Sequence, residues 1–239
     1  MHILATDLDG TFLGGSETAR ARLIDHFLAA PDRRLLYVTG RSVNSVQGLI
    51  REGRLPEPDG MICDVGTTVA CGRGQRLPGP AQEAVEAVWK DQTQAILELL
   101  DGHPGLRLQD DFGPRRVSYT FEPGTDLDTP AAKVRELGLT PLVSANVFFD
   151  VLPPGINKGV TLRRWLEQHD YQPHQALAAG DTLNDLALLE SGCPAVMVGN
   201  AEEGLKQRLQ PSDTIFHARG EGCDGIVEAL EHFGVELNA

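Results

Sequence analysis

The sequence predicts an α/β fold in which a Rossmann-like parallel-sheet core is interrupted by an inserted α+β cap. Short apolar strands alternate with helices near both ends of the chain, a pattern typical of a parallel sheet covered by helices. In the middle the predicted order changes to αββαββ. Segments rich in glycine or proline mark the two changes, at 71–80 and 153–155. The predicted divisions are core 1–80, cap 81–152 and core 153–239.

The first part of the predicted core contains four strands and two helices. The strands are short apolar segments at 2–6, 34–38, 60–64 and 67–70. The last two of them meet at Gly66. A helix at 17–30 repeats apolar residues at helical spacing, including Leu23 and Phe27. Ser42 is the candidate N-cap of a second helix at 42–52.

The cap and the second part of the core follow from the same patterns. The predicted cap has helices at 82–100 and 126–137 and strands at 106–109, 115–121, 141–144 and 147–151. The second part of the core has strands at 175–179, 194–198 and 214–216 and helices at 158–169, 183–190, 202–209 and 223–233. Trp89 and Trp165 lie in helical patterns and are predicted to pack in the interior.

Composition and charge exclude several classes of function. The 239 residues include 21 Lys and Arg against 34 Asp and Glu, a net charge of −13. This charge argues against a nucleic-acid or anionic-membrane partner. Neither a long apolar run nor a signal peptide is recognisable. We expect a cytoplasmic protein, a monomer or small homo-oligomer, with its four cysteines reduced and mostly buried: Cys63, Cys71, Cys193 and Cys223.

The segment Asp7-Leu8-Asp9-Gly10-Thr11 follows the first predicted strand. Active sites of open parallel sheets form at the carboxyl ends of strands. Asp7 can there act as a nucleophile, and Asp9 can protonate a leaving group and later activate water. The structural alternative is a turn that caps the next helix, since Asp and Gly favour turns.

Two further segments have the composition of anion-binding sites. Thr39-Gly40-Arg41 follows the second strand and offers a hydroxyl group, a glycine N–H and a helix start. Asn157-Lys158-Gly159 places a lysine at a helix start, where the helix dipole disfavours a cation unless an anion is near. Each segment also has a structural alternative, as an N-capped turn or as a surface lysine.

The segment Gly180–Asp185 follows a strand of the second part of the core. Asp181 stands where an oxygen ligand for Mg²⁺ would be placed, whereas Asp185 can also serve as a helix cap. All four segments fall at one edge of one predicted sheet. Together they supply a nucleophile, an acid/base, a hydroxyl group, a lysine and metal-binding carboxylates, a set suited to phosphoryl transfer.

These four motifs, in this order, resemble those of the haloacid dehalogenase superfamily of phosphohydrolases. The resemblance implies that Asp7 is the phosphorylated nucleophile and Asp9 the acid/base. It implies that Mg²⁺ is bound by Asp7, the backbone carbonyl of Asp9 and Asp181, with Asp185 in support. The implied phosphate-binding residues are Thr39, Gly40, Lys158 and Asn184.

The inserted αββαββ segment is similar to the type-IIB (C2B) cap of that superfamily. The stretches at 55–67, 115–119 and 150–159 look most like sucrose-phosphate phosphatases, which implies a disaccharide phosphate such as sucrose 6-phosphate as substrate. Those enzymes often carry acidic residues where this chain has Thr68 and Phe148. Both positions lie on the sugar side of such sites, so mannosylfructose phosphate and glycosyl-glycerate phosphates remain alternative substrates.

The resemblance also suggests substrate contacts near the cap, namely Arg41, Arg116, Ser118 and Tyr119. Arg115 and Arg116 leave a phosphomutase open, because mutases need a second phosphate site. A phosphoacceptor domain of the response-regulator type is disfavoured, since it lacks a counterpart of Asp9 and has no cap of this size.

Overall fold

The computed structural model describes residues 1–77 and 79–237, and Pro78 of the predicted boundary segment lies outside them. The core sheet has seven strands: β1 (Ile3–Thr6), β2 (Arg34–Val38), β3 (Gly60–Cys63), β4 (Thr68–Cys71), β9 (Ala176–Gly180), β10 (Ala195–Met197) and β11 (Ile215–His217). Their order is β11-β10-β9-β1-β2-β3-β4. All neighbours are parallel except β3 and β4, which form an antiparallel pair at one edge. The predicted parallel core is therefore confirmed.

Helices cover both faces of this sheet. They are α1 (Glu17–Leu28), α2 (Val43–Arg51), α3 (Pro80–Trp89), α6 (Lys158–Gln168), α7 (Leu186–Leu189), α8 (Glu203–Arg208) and α9 (Gly222–His232). Because side chains alternate along a strand, Leu4 of β1 packs on one face with α1, α2 and α9. Ile3 and Ala5 pack on the other face with α6, α7 and α8. The Ser42 hydroxyl accepts from the Ser45 N–H at 3.1 Å and caps α2, as predicted.

The inserted segment forms a second, antiparallel sheet. Its strands are β5 (Leu106–Leu108), β6 (Val117–Phe121), β7 (Thr140–Ser144) and β8 (Phe148–Leu152), in the order β5-β6-β8-β7. The helices α4 (Thr93–Leu100) and α5 (Asp128–Glu136) pack on one face and share an apolar cluster with β6 and β8. This arrangement confirms the predicted α+β cap.

The single predicted helix at 82–100 is wrong, because the structure has two helices there, α3 and α4. Lys90 and Asp91 adopt left-handed backbone conformations, with φ of 51° and 53°, and end α3. The start of α3 packs on the core through Ala81, whereas Trp89 at its end packs in the cap cluster. The break therefore separates α3, which runs from the core to the cap, from α4, which belongs to the cap.

The predicted interior positions are confirmed. Trp89 and Trp165 are buried, and the Trp165 ring stacks on those of His169 and Tyr171. All four cysteines are free thiols, three of them buried and Cys71 partly exposed. Within the described residues, no helix is both long enough and apolar enough to cross a membrane.

Gly159 lets α6 pack closely against α7, and its replacement by alanine should destabilise the protein. A Cβ atom at this position would lie 1.8 Å from the carbonyl oxygen of Ala187, a backbone atom that cannot move without a shift of the main chain. We expect Gly159→Ala to lower the free energy of unfolding by about 1–3 kcal/mol or more, measured by denaturant titration. Gly48→Ala in α2 is the matched control, since its Cβ would meet no atom closer than 4.0 Å. Equal losses in both variants would contradict this account.

Candidate active site

Two neighbouring strands end together and carry the first carboxylates of the site. β1 pairs in parallel with β9, so Asp7 and Asp181 follow at the same edge of the sheet. A short turn at Leu183–Asp185 brings a third carboxylate to this point. Side-chain oxygens of Asp7, Asp181 and Asp185 lie within 4.8 Å of one another, and all three residues are buried. The structure thus brings together three of the predicted metal ligands.

Lys158 lies at the centre of this cluster and is fully buried. Its Nζ donates to Asp7 Oδ1 at 2.7 Å, to Asp185 Oδ1 at 2.6 Å and to Asn184 Oδ1 at 2.6 Å. Burial alone would lower the pKa of this ammonium group, but the Asp185 and Asp7 carboxylates raise it above its ordinary value. The lysine is therefore held as a cation beside the predicted nucleophile.

The electrostatics of the cluster suit a divalent cation. Burial raises the pKa of Asp7 well above its ordinary value, although Lys158 opposes the shift. Burial and the adjacent Asp185 charge raise the pKa of Asp181 to about 7. Three buried carboxylates face one ammonium group, so a bound cation would relieve their repulsion.

The donor set also fits Mg²⁺, which prefers carboxylate oxygens. Thr11 Oγ1 donates to Asp181 Oδ1 at 2.7 Å, and the backbone N–H groups of Asp181 and Thr182 donate to Asp185 Oδ2. Within the described part of the chain, Oδ2 of Asp7 and Oδ2 of Asp181 receive no hydrogen bond. These two oxygens are available to a ligand.

Asp9, the predicted acid/base, faces the opening of the site and is held by Arg41. Nε and Nη2 of Arg41 donate to the two Asp9 carboxylate oxygens, each at 2.7 Å, a bidentate geometry. Arg41 Nη1 also donates to Ser45 Oγ at 2.9 Å. The hydrogen bond to Asp9 raises the pKa of Arg41. Arg41 therefore both lines the site and fixes the Asp9 side chain.

The other predicted phosphate-binding residues converge on the same place. Thr39 is buried, and its Oγ1 accepts from the Arg41 N–H at 3.1 Å, which closes a tight turn after β2. Gly40 faces Asn184, since a Cβ at Gly40 would lie 3.8 Å from Asn184 Nδ2. The turn at Thr39–Arg41 thus lies beside the Lys158 cluster, as the sequence predicts.

A cavity of about 540 Å³ separates these groups from the cap. Its core side includes Asp7, Asp9, Gly40, Arg41 and Asn184. Its cap side includes Gln109, Arg116, Ser118, Ser144, Phe148 and Asp150. The core wall thus carries charged and backbone groups suited to phosphate chemistry, whereas the cap wall combines Arg116 and Asp150 with amide and hydroxyl groups and one aromatic ring. A ligand with a phosphate at one end and hydroxyl groups at the other matches these walls.

Two of the three cap residues suggested as substrate contacts line this cavity. Arg116 and Ser118 do so, whereas Tyr119 packs in the apolar cluster of the cap. Alternate side chains of a strand point to opposite faces of the sheet, so Ser118 and Tyr119 cannot both face the cavity. The prediction for Tyr119 is corrected accordingly.

Sequence reasoning missed four of the polar or charged groups that line the cavity: Gln109, Asp111, Ser144 and Asp150. Asp150 stood within a stretch that carried the family resemblance, which was the available signal, and the structure places it opposite Ser118 in the paired strands. Of the two positions that depart from sucrose-phosphate phosphatases, Phe148 lines this cavity. Thr68 lies beside a separate cavity of about 230 Å³.

Comparisons with known proteins agree with this geometry. The sequence matches the family described as sucrose-6F-phosphate phosphohydrolase over residues 1–234. It is similar to a glucosylglycerol-phosphate synthase of Pseudomonas anguilliseptica, with 41% identity over 97% of this chain. The chain spans only 31% of that protein's length.

Two other similarities extend over nearly the full length of both partners. A mannosylfructose-phosphate phosphatase of Agrobacterium fabrum is 27% identical, over 98% of each chain. The structure is similar to that of the sucrose-phosphatase of Synechocystis sp. PCC6803 in complex with sucrose and phosphate. The TM-score is 0.86, with 26% identity and 97% of each chain covered.

Proposed function

Since the chain belongs to the sucrose-6F-phosphate phosphohydrolase family of the haloacid dehalogenase superfamily, we propose that it hydrolyses a glycosyl phosphate with Mg²⁺. The observation that supports this most is one cavity with two different walls. Asp7, Asp9, Gly40 and Arg41 line the wall that suits a phosphate, and the buried Lys158 lies behind it, bonded to Asp7. Polar cap residues with one aromatic ring form the wall that suits a sugar.

In the proposed reaction a carboxylate oxygen of Asp7 attacks phosphorus, and the bond from phosphorus to the sugar oxygen breaks. Asp9 gives a proton to that oxygen and later takes one from the water that hydrolyses the aspartyl phosphate. Lys158, Thr39 and the Gly40 N–H stabilise the charge on the phosphoryl oxygens.

Asp7, Asp181 and Asp185 are the residues that would hold Mg²⁺, with the Asp9 carbonyl as a further ligand by resemblance. When bound, Mg²⁺ supplies positive charge that offsets the negative charge of the phosphate and the carboxylates. The protein carries a net charge of −13, so long-range attraction of an anionic substrate is unfavourable. Attraction must therefore come from the site itself.

Two classes of glycosyl phosphate are candidates. A disaccharide phosphate such as sucrose 6-phosphate is supported by the family match and by the similar structure with bound sucrose and phosphate. Glucosylglycerol phosphate is supported by the 41% identical relative, because a phosphatase unit joined to a synthase could dephosphorylate the product of that synthase.

The free thiols support the predicted cytoplasmic location.

Phosphate release from a panel of esters tests the proposal. The panel comprises sucrose 6-phosphate, glucosylglycerol phosphate, mannosylfructose phosphate, a glycosyl-glycerate phosphate, glucose 6-phosphate and acetyl phosphate. We expect kcat/KM for one glycosyl phosphate to exceed that for glucose 6-phosphate by at least about 10²-fold, since binding energy from the distal unit raises this ratio. Activity should vanish with a chelator and return with Mg²⁺. A flat profile, or full activity without a divalent cation, would contradict the proposal.

A mutase would instead convert the substrate to an isomer, and the same panel can be analysed for isomers. The Arg115 guanidinium, one of the two candidates for a second phosphate site, is paired with Glu86 at 2.5 Å. Arg116 is buried between two carboxylates. These ion pairs favour hydrolysis over phosphate transfer between two sites of one sugar.

Phe148 at the edge of the cavity should contribute to binding of the glycosyl unit. Its side chain is partly exposed, at 36%, and it is the only aromatic residue that lines the cavity within the described part of the chain. We expect Phe148→Ala to raise KM for the best glycosyl phosphate by about 3- to 10-fold and to leave KM for acetyl phosphate unchanged. Val147→Ala, at an exposed position outside the cavity, is the control. An equal rise in KM for both substrates would rule out this role.

A further inference from the structure

Arg116 occupies an unusual place between the cap and the core. It precedes β6 of the cap and is only 5% exposed. Its Nη1 donates to the carbonyl oxygen of Gly40 in the core at 2.9 Å and lies 3.4 Å from Asp150 Oδ1 of the cap. Its Nη2 lies 3.6 Å from Asp64 Oδ1 of the core. One guanidinium group thus contacts both parts of the molecule and the predicted phosphate-binding turn.

Asp64 begins a strained turn that follows β3. Asp64 and Val65 have φ of 54° and 58°, a conformation that is an outlier for a β-branched residue such as valine. Such strain persists only where the surrounding contacts hold it. Those contacts lead to the phosphate-binding turn, because Asp64 N–H donates to the Arg41 carbonyl at 3.0 Å and Val65 N–H to the Thr39 carbonyl at 3.1 Å.

The same turn also contacts the helix that carries Lys158. The Gly66 carbonyl accepts from Thr161 Oγ1 of α6 at 2.7 Å. A Cβ at Gly66 would lie 2.4–2.7 Å from backbone atoms of Asn157 and Lys158, so the two segments are in direct contact. The segment Asp64–Gly66 therefore joins both groups of residues that the proposed reaction uses to bind phosphate.

The cap reaches this turn at a second point besides Arg116. Gly113 packs directly on Asp64, because a Cβ at Gly113 would lie 2.2 Å from Asp64 Oδ2. Arg116 is the cation that faces the buried carboxylates Asp64 and Asp150, and without it both would lose their nearest counter-charge. Burial raises the pKa of both carboxyl groups, and Arg116 opposes that shift.

We infer that Arg116 is a positioning residue that couples docking of the cap to the geometry of the phosphate-binding groups. It holds the Gly40 peptide directly and, through Asp64, the turn that contacts the Lys158 helix. This inference rests on the proposed phosphatase function of the site. It differs from a sugar contact, because its effect does not depend on the sugar part of the substrate.

The test compares Arg116→Gln with Arg115→Gln on two substrates, the best glycosyl phosphate and acetyl phosphate. A sugar contact matters only for the first, whereas misplaced phosphate-binding groups slow both reactions. We expect Arg116→Gln to lower kcat about 10²-fold for both, with KM changed less than about 3-fold. Arg116→Lys should restore only part of the rate, since a compact ammonium group lacks the planar, forked donor geometry of the guanidinium group. Arg115→Gln, whose ion pair is with Glu86, should retain its rate on both.

Hydrogen exchange supplies a readout that does not depend on turnover. The amides of Arg41, Asp64 and Val65 should exchange faster in Arg116→Gln, by about 10-fold or more, and should be unchanged in Arg115→Gln. Asp64→Asn, which keeps the shape of the side chain, is a second test if Arg116→Gln folds poorly. It should show the same lower kcat and faster amide exchange, each to a smaller extent. A rise in KM for the glycosyl substrate alone, or unchanged exchange at these amides, would overturn the inference. Absence of phosphate release by the wild-type protein would instead refute the proposed function.

Discussion

Replacement of Asp7 by asparagine is expected to abolish phosphate release while the protein stays folded. The amide has the shape of the carboxylate but cannot act as the nucleophile, so we expect kcat to fall by at least about 10⁴-fold. Folding should persist because burial already disfavours the charged form of Asp7, and Lys158 keeps its bond to Asp185. Steady-state phosphate release and the thermal midpoint are the two measurements.

Asp9→Asn is the matched comparison for this variant. Removal of an acid/base group typically costs about 10²- to 10⁴-fold in rate, and the loss should be smaller for acetyl phosphate, which has a better leaving group. Asp7→Asn should be equally inactive on both substrates. If Asp7→Asn released phosphate from acetyl phosphate as fast as Asp9→Asn, Asp7 would not be the nucleophile.

Replacement of Lys158 by methionine is expected to impair both stability and catalysis. Lys158 is fully buried and bonds two carboxylates, so its removal leaves buried charges without a counter-charge. Breaking a buried ion pair in this way costs about 3–5 kcal/mol of unfolding free energy. Loss of a preorganised donor to the transferring phosphate should lower kcat by about 10²- to 10³-fold. Denaturant titration and phosphate release measure the two effects.

Lys206→Met, at an exposed position in α8, is the control for the change of side chain. Its unfolding free energy should stay within about 0.5 kcal/mol of the wild-type value, and its rate should be unchanged. If Lys158→Met were as stable as this control, the ammonium group would not be neutralising the cluster, and the ion-pair network described above would be wrong.

The position of the catalytic motifs could be predicted because the end of an apolar strand is recognisable from a few residues, and in a parallel sheet it also tells where the next residue lies. An apolar strand followed by Asp7 or Asp181 fixes each side chain at the carboxyl edge of a parallel sheet. Parallel pairing of β1 with β9 then brings two residues 174 positions apart into one cluster. The parallel core and the meeting of Asp7 with Asp181 could therefore be predicted from the order of strands and the residues that follow them.

The break after Trp89 could not be predicted, because the apolar spacing on both sides is helical. The left-handed conformations of Lys90 and Asp91 carry no strong signal in those residue types. Nor could the contacts of Arg116 with Gly40 and Asp64 be predicted, since these core residues meet it only where the cap packs on the core. Contacts made across two packed units depend on geometry that local sequence patterns do not encode.

Reduction of the proposed aspartyl phosphate tests the central claim most directly. Borohydride converts a phosphorylated aspartate to homoserine, which peptide mass spectrometry can locate in the chain. With the best substrate and Mg²⁺ present, we expect homoserine at position 7, and no modification in the absence of substrate or in Asp7→Asn. Homoserine at another position, or an unmodified Asp7 during rapid turnover, would contradict the account.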